Sequence, residues 1–511
     1  MDTTVTAFDL IGCRYRYVQR LAHPDQPYRP EDEARRARRD AARAAILSEV
    51  PRRRGLGDGR GRAFRRVRVI DAPDAPDPET QTQRAMDRGA HVITDAVFSG
   101  VAHGQRWRVD VDILVRAGDG RYVPVIISSH RVARRDEAAS TLAVAVSRLG
   151  LSEPMAVSYR LRHHVADGYR LALAARGLGE RHHGGLGGAV GQDSRLAFFE
   201  PTAPLDAPLD RALQRGWASQ PRRLKECSSC RFWSLCETEL VAADDISLVL
   251  PGDRGAGLRE RGITTVTQLI NADAGEPTAL ARAWSQGVAL LARVPEVTGP
   301  RADVEIDVDM EAYLDHGAYL WGAFDGADYH PFVTWQALGK RAEGENFAAF
   351  WSWLMQRKAE ALAGGKSFAA YCYSAHGENH WLRQSALRFY GKIPGVPSPE
   401  EVARFIASEH WVDVFAFVKA QLLGPEGIGL KVVGRAAGYT WADADIDGEE
   451  SLNTRRIAVG SGAPAERARA SLLRYNADDT RATAAVRHWL RAGAPGIARL
   501  DGVPAPANNA G

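Results

Sequence analysis

Apolar and polar positions change period several times along this chain, and each change marks an element. Residues 105–115 and 121–128 are strand-like runs separated by Ala-Gly-Asp-Gly. Alternation on either side of such a turn predicts a β-hairpin. Residues 304–309 and 318–323 predict paired strands, 347–363 an amphipathic helix, and 368–373 a further strand. Residues 137–146, Glu-Ala-Ala-Ser-Thr-Leu-Ala-Val-Ala-Val, predict a helix. From 244 to 272 short apolar helices alternate with glycine turns, as in a helix-hairpin-helix module whose amides face a phosphate. A plain helical linker would give the same pattern.

These elements predict an α/β protein of several units: 1–243, a helical module at 244–298, an α/β unit at 299–493, and a disordered tail at 494–511. With 511 residues and 45% hydrophobic content, there is enough apolar material for real cores. No apolar run reaches about twenty residues, and the N-terminus lacks a basic n-region, so the expectation is a cytoplasmic protein with no membrane partner. Net charge is only +3, yet arginines crowd residues 34–69. Such a run is either a solvated face or a nucleic-acid contact.

Five cysteines occur, and three of them, Cys227, Cys230 and Cys236, lie within ten residues. In a reducing compartment that clustering asks for a metal, with Cys13 or Cys372 left to complete four thiols. Acids are patterned too. Val-Glu-Ile-Asp-Val-Asp-Met-Glu-Ala-Tyr places carboxylates at 305, 307, 309 and 311, one face of a strand, where a divalent cation would relieve their repulsion. In Leu-Arg-Tyr-Asn-Ala-Asp-Asp-Thr, read as a helix start, Tyr475 and Asp479 stand one turn apart.

Asp309-Met310-Glu311 and Tyr475-x-x-x-Asp479 resemble the first and last motifs of the DEDDy 3′–5′ exonucleases of the ribonuclease H-like fold. Tyr-Cys-Tyr-Ser-Ala-His-Gly-Glu stands where a middle motif belongs, with Glu378 in place of the family's Asp, and Asp413 is a further candidate. The resemblance implies that Asp309, Glu311, Glu378 and Asp479 hold Mg²⁺ or Mn²⁺ for phosphodiester hydrolysis, with Tyr475 orienting the attacking water.

The first 243 residues resemble RecB-family nucleases, through Leu-Ile-Gly-Cys13 near the start and Cys-x2-Cys-x5-Cys near the end. That resemblance implies a restriction-endonuclease-like, PD-(D/E)XK-type fold stapled by a 4Fe-4S cluster on Cys13, Cys227, Cys230 and Cys236. Zn²⁺ is the alternative, and Cys372 reads as a buried core thiol. Asp112 matches that family's first acid. Ile126 and Ser128 stand where its second acid and lysine belong, so the expectation is lost nuclease chemistry; His130 or Asp136 are the remaining candidates for a substitute. The whole then reads as an exonuclease on single-stranded DNA ends, with the N-terminal half as DNA platform and a helicase as a possible partner. An RNA-directed exonuclease and a catalytically inactive nucleic-acid-binding scaffold are the alternatives.

Overall fold

The hairpin becomes an antiparallel pair, Gln105–Arg116 against Tyr122–Ile127, with Val115 opposite Val123. This computed structural model describes residues 3–28, 30–52, 64–191, 195–313, 316–442 and 448–502. The chain divides into two units, Met1–Arg254 and Gly255–Gly511.

In the first unit the hairpin belongs to an eight-stranded mixed sheet. Its order across is Arg66–Arg68, Val92–Ala102, Gln105–Arg116, Tyr122–Ile127, Leu186–Val190, Leu196–Pro201, Thr141–Ala145 and Met155–Val157. Helix Val165–Leu178 buries Ala172, Leu173 and Leu178 against Phe98, Val109 and Val111 of this sheet. Part of the predicted helix at 137–146 is the strand Thr141–Ala145. It pairs antiparallel on both sides, with Leu196–Phe199 and with Met155–Val157, so sheet pairing overrides the local helical preference of its alanines.

The second unit is built around a five-stranded sheet. Val304–Tyr313 runs antiparallel to Gly317–Phe324, which pairs with Tyr329–Val333; on its other side it runs parallel to Phe368–Cys372, followed by Trp411–Asp413. The alternation along Val304–Tyr313 sorts its two faces. Ile306 and Val308 enter a core with Phe347, Phe350 and Leu354 of helix Arg341–Ala363 and Leu382 of helix His376–Phe389. Acids at odd positions meet helix Ala463–Arg491 instead. Tyr475 and Asp479 therefore lie in the middle of a 29-residue helix rather than at its start.

The first two acids of that strand are ion-paired. Arg487 Nε and Nη2 donate to the two Asp307 oxygens at 2.7 and 2.5 Å, and Nη1 lies 2.9 Å from Glu305. Arg491 also pairs with Glu305, Tyr371 OH donates to it at 3.1 Å, and the Arg487 guanidinium stacks 4.0 Å from the Tyr371 ring. Burial pushes Asp307 up to about 6 against the pull of Arg487. At Glu305 burial also acts upward, but the bonds from Arg491 and Arg487 win and hold it at about 2.

Two boundaries differ from expectation. Leu290, Ala292 and Val297 pack into a core with Val418, Val486 and Leu490, so the segment before 299 belongs with the second unit's sheet domain. In the tail, Ala498–Arg499 forms a short strand beside Leu291–Ala292, because its backbone finds a parallel partner there; residues 503–511 lie outside the described residues. Ahead of both, helices Val266–Asn271 and Glu276–Ser285 are joined through Thr278 Oγ1, which donates to Leu269 and Ala272 carbonyls.

Replacing Arg487 with Met strands the buried Asp307 carboxylate and should cost about 3–5 kcal/mol in urea unfolding. The double replacement Arg487→Met/Asp307→Leu should recover most of that loss, because no charge is then left unpaired.

Candidate active site and thiol cluster

Beyond the ion pairs, the same strand carries Asp309 and Glu311, both half-buried and, among the described residues, bonded by an amide and a hydroxyl rather than a guanidinium. Asn476 Nδ2 donates to Asp309 Oδ2 at 2.7 Å, and Ser451 Oγ lies 3.4 Å from Glu311 Oε2. Asp479 is bonded by Trp441 Nε1 at 2.7 Å and by the phenol of Tyr475, one turn earlier on the helix. Lys431 Nζ sits 5.8 Å from the Tyr475 ring centre, and its charge favours the ionised form of Asp479.

Glu378 is buried in the first turn of helix His376–Phe389. The turn before it contains Ser374 at φ 71°, a left-handed conformation uncommon for a residue with a side chain. Asp413 fixes that turn: Oδ1 accepts from Ser374 N and Phe415 N at 2.9 Å, and Oδ2 from Ala375 N at 3.2 Å. Asp413, expected as a catalytic acid, caps helix Val414–Gln421 through Phe415 N and also accepts from the backbone amides of Ser374 and Ala375, just before the helix that carries Glu378. Cys372 is fully buried with Sγ 3.9 Å from the Val412 carbonyl.

Electrostatics couples these groups. Desolvation, then Asp479, Glu311 and Glu378, drive Asp309 well above the ordinary carboxylate range. Desolvation and Asp479 push Glu311 up to about 8, and desolvation with Asp413 pushes Glu378 up to about 7. Burial raises Asp479 as well, in spite of its Trp441 and Tyr475 bonds. Hard carboxylate oxygens that repel one another suit a divalent cation in donor chemistry. Even so, among the described residues no three His, Cys, Asp or Glu side chains converge closely enough to hold a metal ion as they stand. One oxygen of Asp309 is held by Asn476 and one of Glu311 by Ser451, while Asp479 is held by Trp441 and Tyr475.

In the first unit, Cys13 and the 227–236 segment are brought together. Cys13 N donates to Glu226 at 2.8 Å, Gln19 reaches Cys236 Sγ at 3.7 Å and Glu239 at 2.6 Å, and Tyr15 OH donates to Glu239 at 2.6 Å. The thiols sense each other's charge: burial, then Cys230 and Cys13, pushes Cys236 up to about 12, and burial first, with Cys230, raises Cys13. All five cysteines are free thiols.

At Asp112, the first acid of the motif expected in this unit, the chemistry differs from that of the C-terminal acids. Asp112, 4% exposed, accepts from Arg43 Nε at 2.5 Å, Arg170 Nη2 at 2.8 Å and Ile127 N at 2.6 Å. Burial opposes its charge, but the two guanidinium groups hold it below the usual range. Arg43 also bonds Asp95 at 2.6 Å, so guanidinium groups occupy the ground a cation would need. Ile126 is buried in the sheet, and Ser128 Oγ donates to Asp167 at 2.5 Å. His130 stacks on His164 with ring centres 4.0 Å apart, and Asp136 is paired with Arg160 at 2.7 Å. Some of the arginine run is also structural: Arg66 donates to the Leu47 and Val50 carbonyls and Arg68 to Asp95. Its stretch 53–63 lies outside the described residues.

Sequence reading missed Asn476, Trp441, Ser451 and Tyr329. Only Asn476 carried a signal, its place between Tyr475 and Asp479; the others join the site from distant segments.

Residues 308–491 match the model of the RNase_H superfamily. The second unit thus contains a ribonuclease H-like domain, which is consistent with a nuclease and implies nucleic-acid binding. No curated protein and no solved structure matches the chain. No described helix is long and apolar enough to cross a membrane.

The raised Glu311 has a consequence for stability. Folded, it keeps its proton up to about 8, whereas the unfolded chain releases it near the ordinary 4.5. The resulting stabilisation is complete below the lower value and is lost as pH rises through the upper one. Metal-free protein should therefore show an unfolding midpoint that falls between about pH 5 and pH 8, with a shallower fall in Glu311→Gln, measured by thermal scans across that range.

Proposed function

We propose that the chain is a metal-dependent nuclease whose C-terminal domain, residues 299–493, removes nucleotides from the 3′ ends of single-stranded DNA. The observation that carries this reading is the inward-facing set Asp309, Glu311, Glu378 and Asp479, mutually coupled and flanked by the Tyr475–Asp479 bond, inside a ribonuclease H-like domain. Mg²⁺ or Mn²⁺ bound by these four carboxylates supplies charge stabilisation at the reacting phosphate and activation of water. The chain's own groups do the rest. Their mutual repulsion favours exchanging protons for a cation, and Tyr475, bonded to Asp479, would orient the attacking water. Asp413 holds the turn that aims Glu378.

Residues 1–243 act in this reading as a nucleic-acid platform of restriction-endonuclease-like fold without cleavage chemistry of its own, since Arg43 and Arg170 neutralise Asp112. Cys13, Cys227, Cys230 and Cys236 hold a 4Fe-4S cluster that staples the platform, with Zn²⁺ as the alternative. Helices Val266–Asn271 and Glu276–Ser285 serve as a helix-hairpin-helix-like module. A second reading, an inactive nucleic-acid-binding scaffold, is favoured by one observation: the acids do not converge on a common point as they stand.

Purified protein with Mn²⁺ and end-labelled strands decides between them. Asp309→Asn and Asp479→Asn should each lower product release by about 10²-fold or more, and Tyr475→Phe by a smaller factor. No product from the unaltered protein, or equal product from Asp309→Asn, overturns the nuclease reading; preference for RNA over DNA in parallel reactions reassigns the substrate. Anaerobic purification should yield a visible absorption band and about four iron atoms per chain, both lost in Cys230→Ser. Zinc without iron would remove the cluster.

A further inference from the structure

Asn476 is entirely buried on helix Ala463–Arg491, between Tyr475 and Asp479, and none of the chemistry above uses it. Its amide is spent at both ends. Nδ2 donates to Asp309 Oδ2 at 2.7 Å, and Oδ1 accepts from Tyr329 OH at 2.7 Å. Tyr329 opens the outer strand Tyr329–Val333, two strands away from Asp309. Between them lies Gly322, directly opposite Asp309 in the antiparallel register; a Cβ there would overlap Asn476 Oδ1 and crowd Tyr329 Cε2.

The arrangement is directional. A phenol that donates to one end of an amide fixes which end is oxygen, and the NH₂ is then presented to Asp309. An apolar side chain of similar volume would fill this space without the cost of burying a polar group. What the amide adds is an oriented donor on one oxygen of one carboxylate.

We propose that Asn476 is a positioning residue for Asp309, oriented by Tyr329 and admitted by Gly322, and that it sets the Asp309 carboxylate for divalent-cation binding. The inference rests on the reading of Asp309 as a metal-binding residue. Partners that orient a ligating carboxylate typically contribute 10–100-fold in metal affinity.

The test is Mn²⁺ affinity of the full-length protein, read from the signal of free Mn²⁺ in electron paramagnetic resonance, alongside the unfolding midpoint without metal. Asn476→Leu should weaken Mn²⁺ binding about 10–100-fold. Tyr329→Phe, which keeps the amide but frees it to turn, should weaken it less and in the same direction. A contact that is only structural would lower the unfolding midpoint and leave the affinity of the folded protein unchanged, and that result overturns the inference. Should Asn476→Leu fail to fold, Tyr329→Phe decides: weaker binding supports the role and unchanged binding overturns it. If the unaltered protein binds no Mn²⁺, or Asp309→Asn binds as well as the unaltered protein, the reading of Asp309 fails and this inference falls with it. Intact binding that depends on Asp309 but not on Asn476 overturns the inference alone.

Discussion

Four carboxylates on one face of one strand must be reconciled with burial, and a single helix does it. Along Val304–Tyr313 the acids recur every two residues, about 6.6 Å of strand. Along Ala463–Arg491, Tyr475, Asp479, Arg487 and Arg491 fall on one four-residue series, about 6 Å of helix per step. The two spacings nearly match, so the helix can answer the strand position by position. At one end Arg487 and Arg491 neutralise Glu305 and Asp307. At the other the helix offers an amide and another acid, and Asp309 and Glu311 are left uncompensated. The same face is thus a structural ion-pair cluster at its start and a charge-strained site at its end.

The first unit meets a similar problem with the opposite outcome. Asp95 and Asp112 sit on neighbouring strands, and Arg43 spans both while Arg170 and Arg68 take the remaining oxygens. Asp95 itself adopts φ 60°, a strained conformation that these bonds hold in place. Nothing there is left strained in charge. An acid already neutralised by two guanidinium groups gains little from a cation, whereas acids pushed above the ordinary range by each other gain a great deal. That contrast, rather than the number of acids, separates the two sites.

Much of this was legible in the sequence where the information is local. The period of two at 305–311, the turn spacing of Tyr475 and Asp479, and the hairpin around Gly118–Gly120 each depend on neighbours in the chain. What failed to show was set by distant partners. Thr141–Ala145 reads as helix until two other strands flank it. Nothing around Asp413 announces the amides of Ser374 and Ala375 that it accepts from, 39 and 38 residues away. Arg487 finds Asp307 across 180 residues, and no local pattern announces which of four aligned acids will be paired. Glu305 and Asp307 looked no different from Asp309 and Glu311; the helix alone distinguishes them.

Because one helix serves both ends of the strand, stability and chemistry are not separable here. A one-residue change in helix register turns each side chain by about 100°. Such a slip would withdraw Arg487 from Asp307 and, at the same stroke, carry Asn476 and Asp479 away from Asp309. The ion-pair end has a large penalty for misalignment, since both partners are buried and neither charge can be re-solvated. At the site end the hydrogen bonds of Asn476 and Trp441 work against the repulsion of like charges. The buried pair therefore favours the same helix register that brings Asn476 to Asp309, and one register serves both ends of the strand.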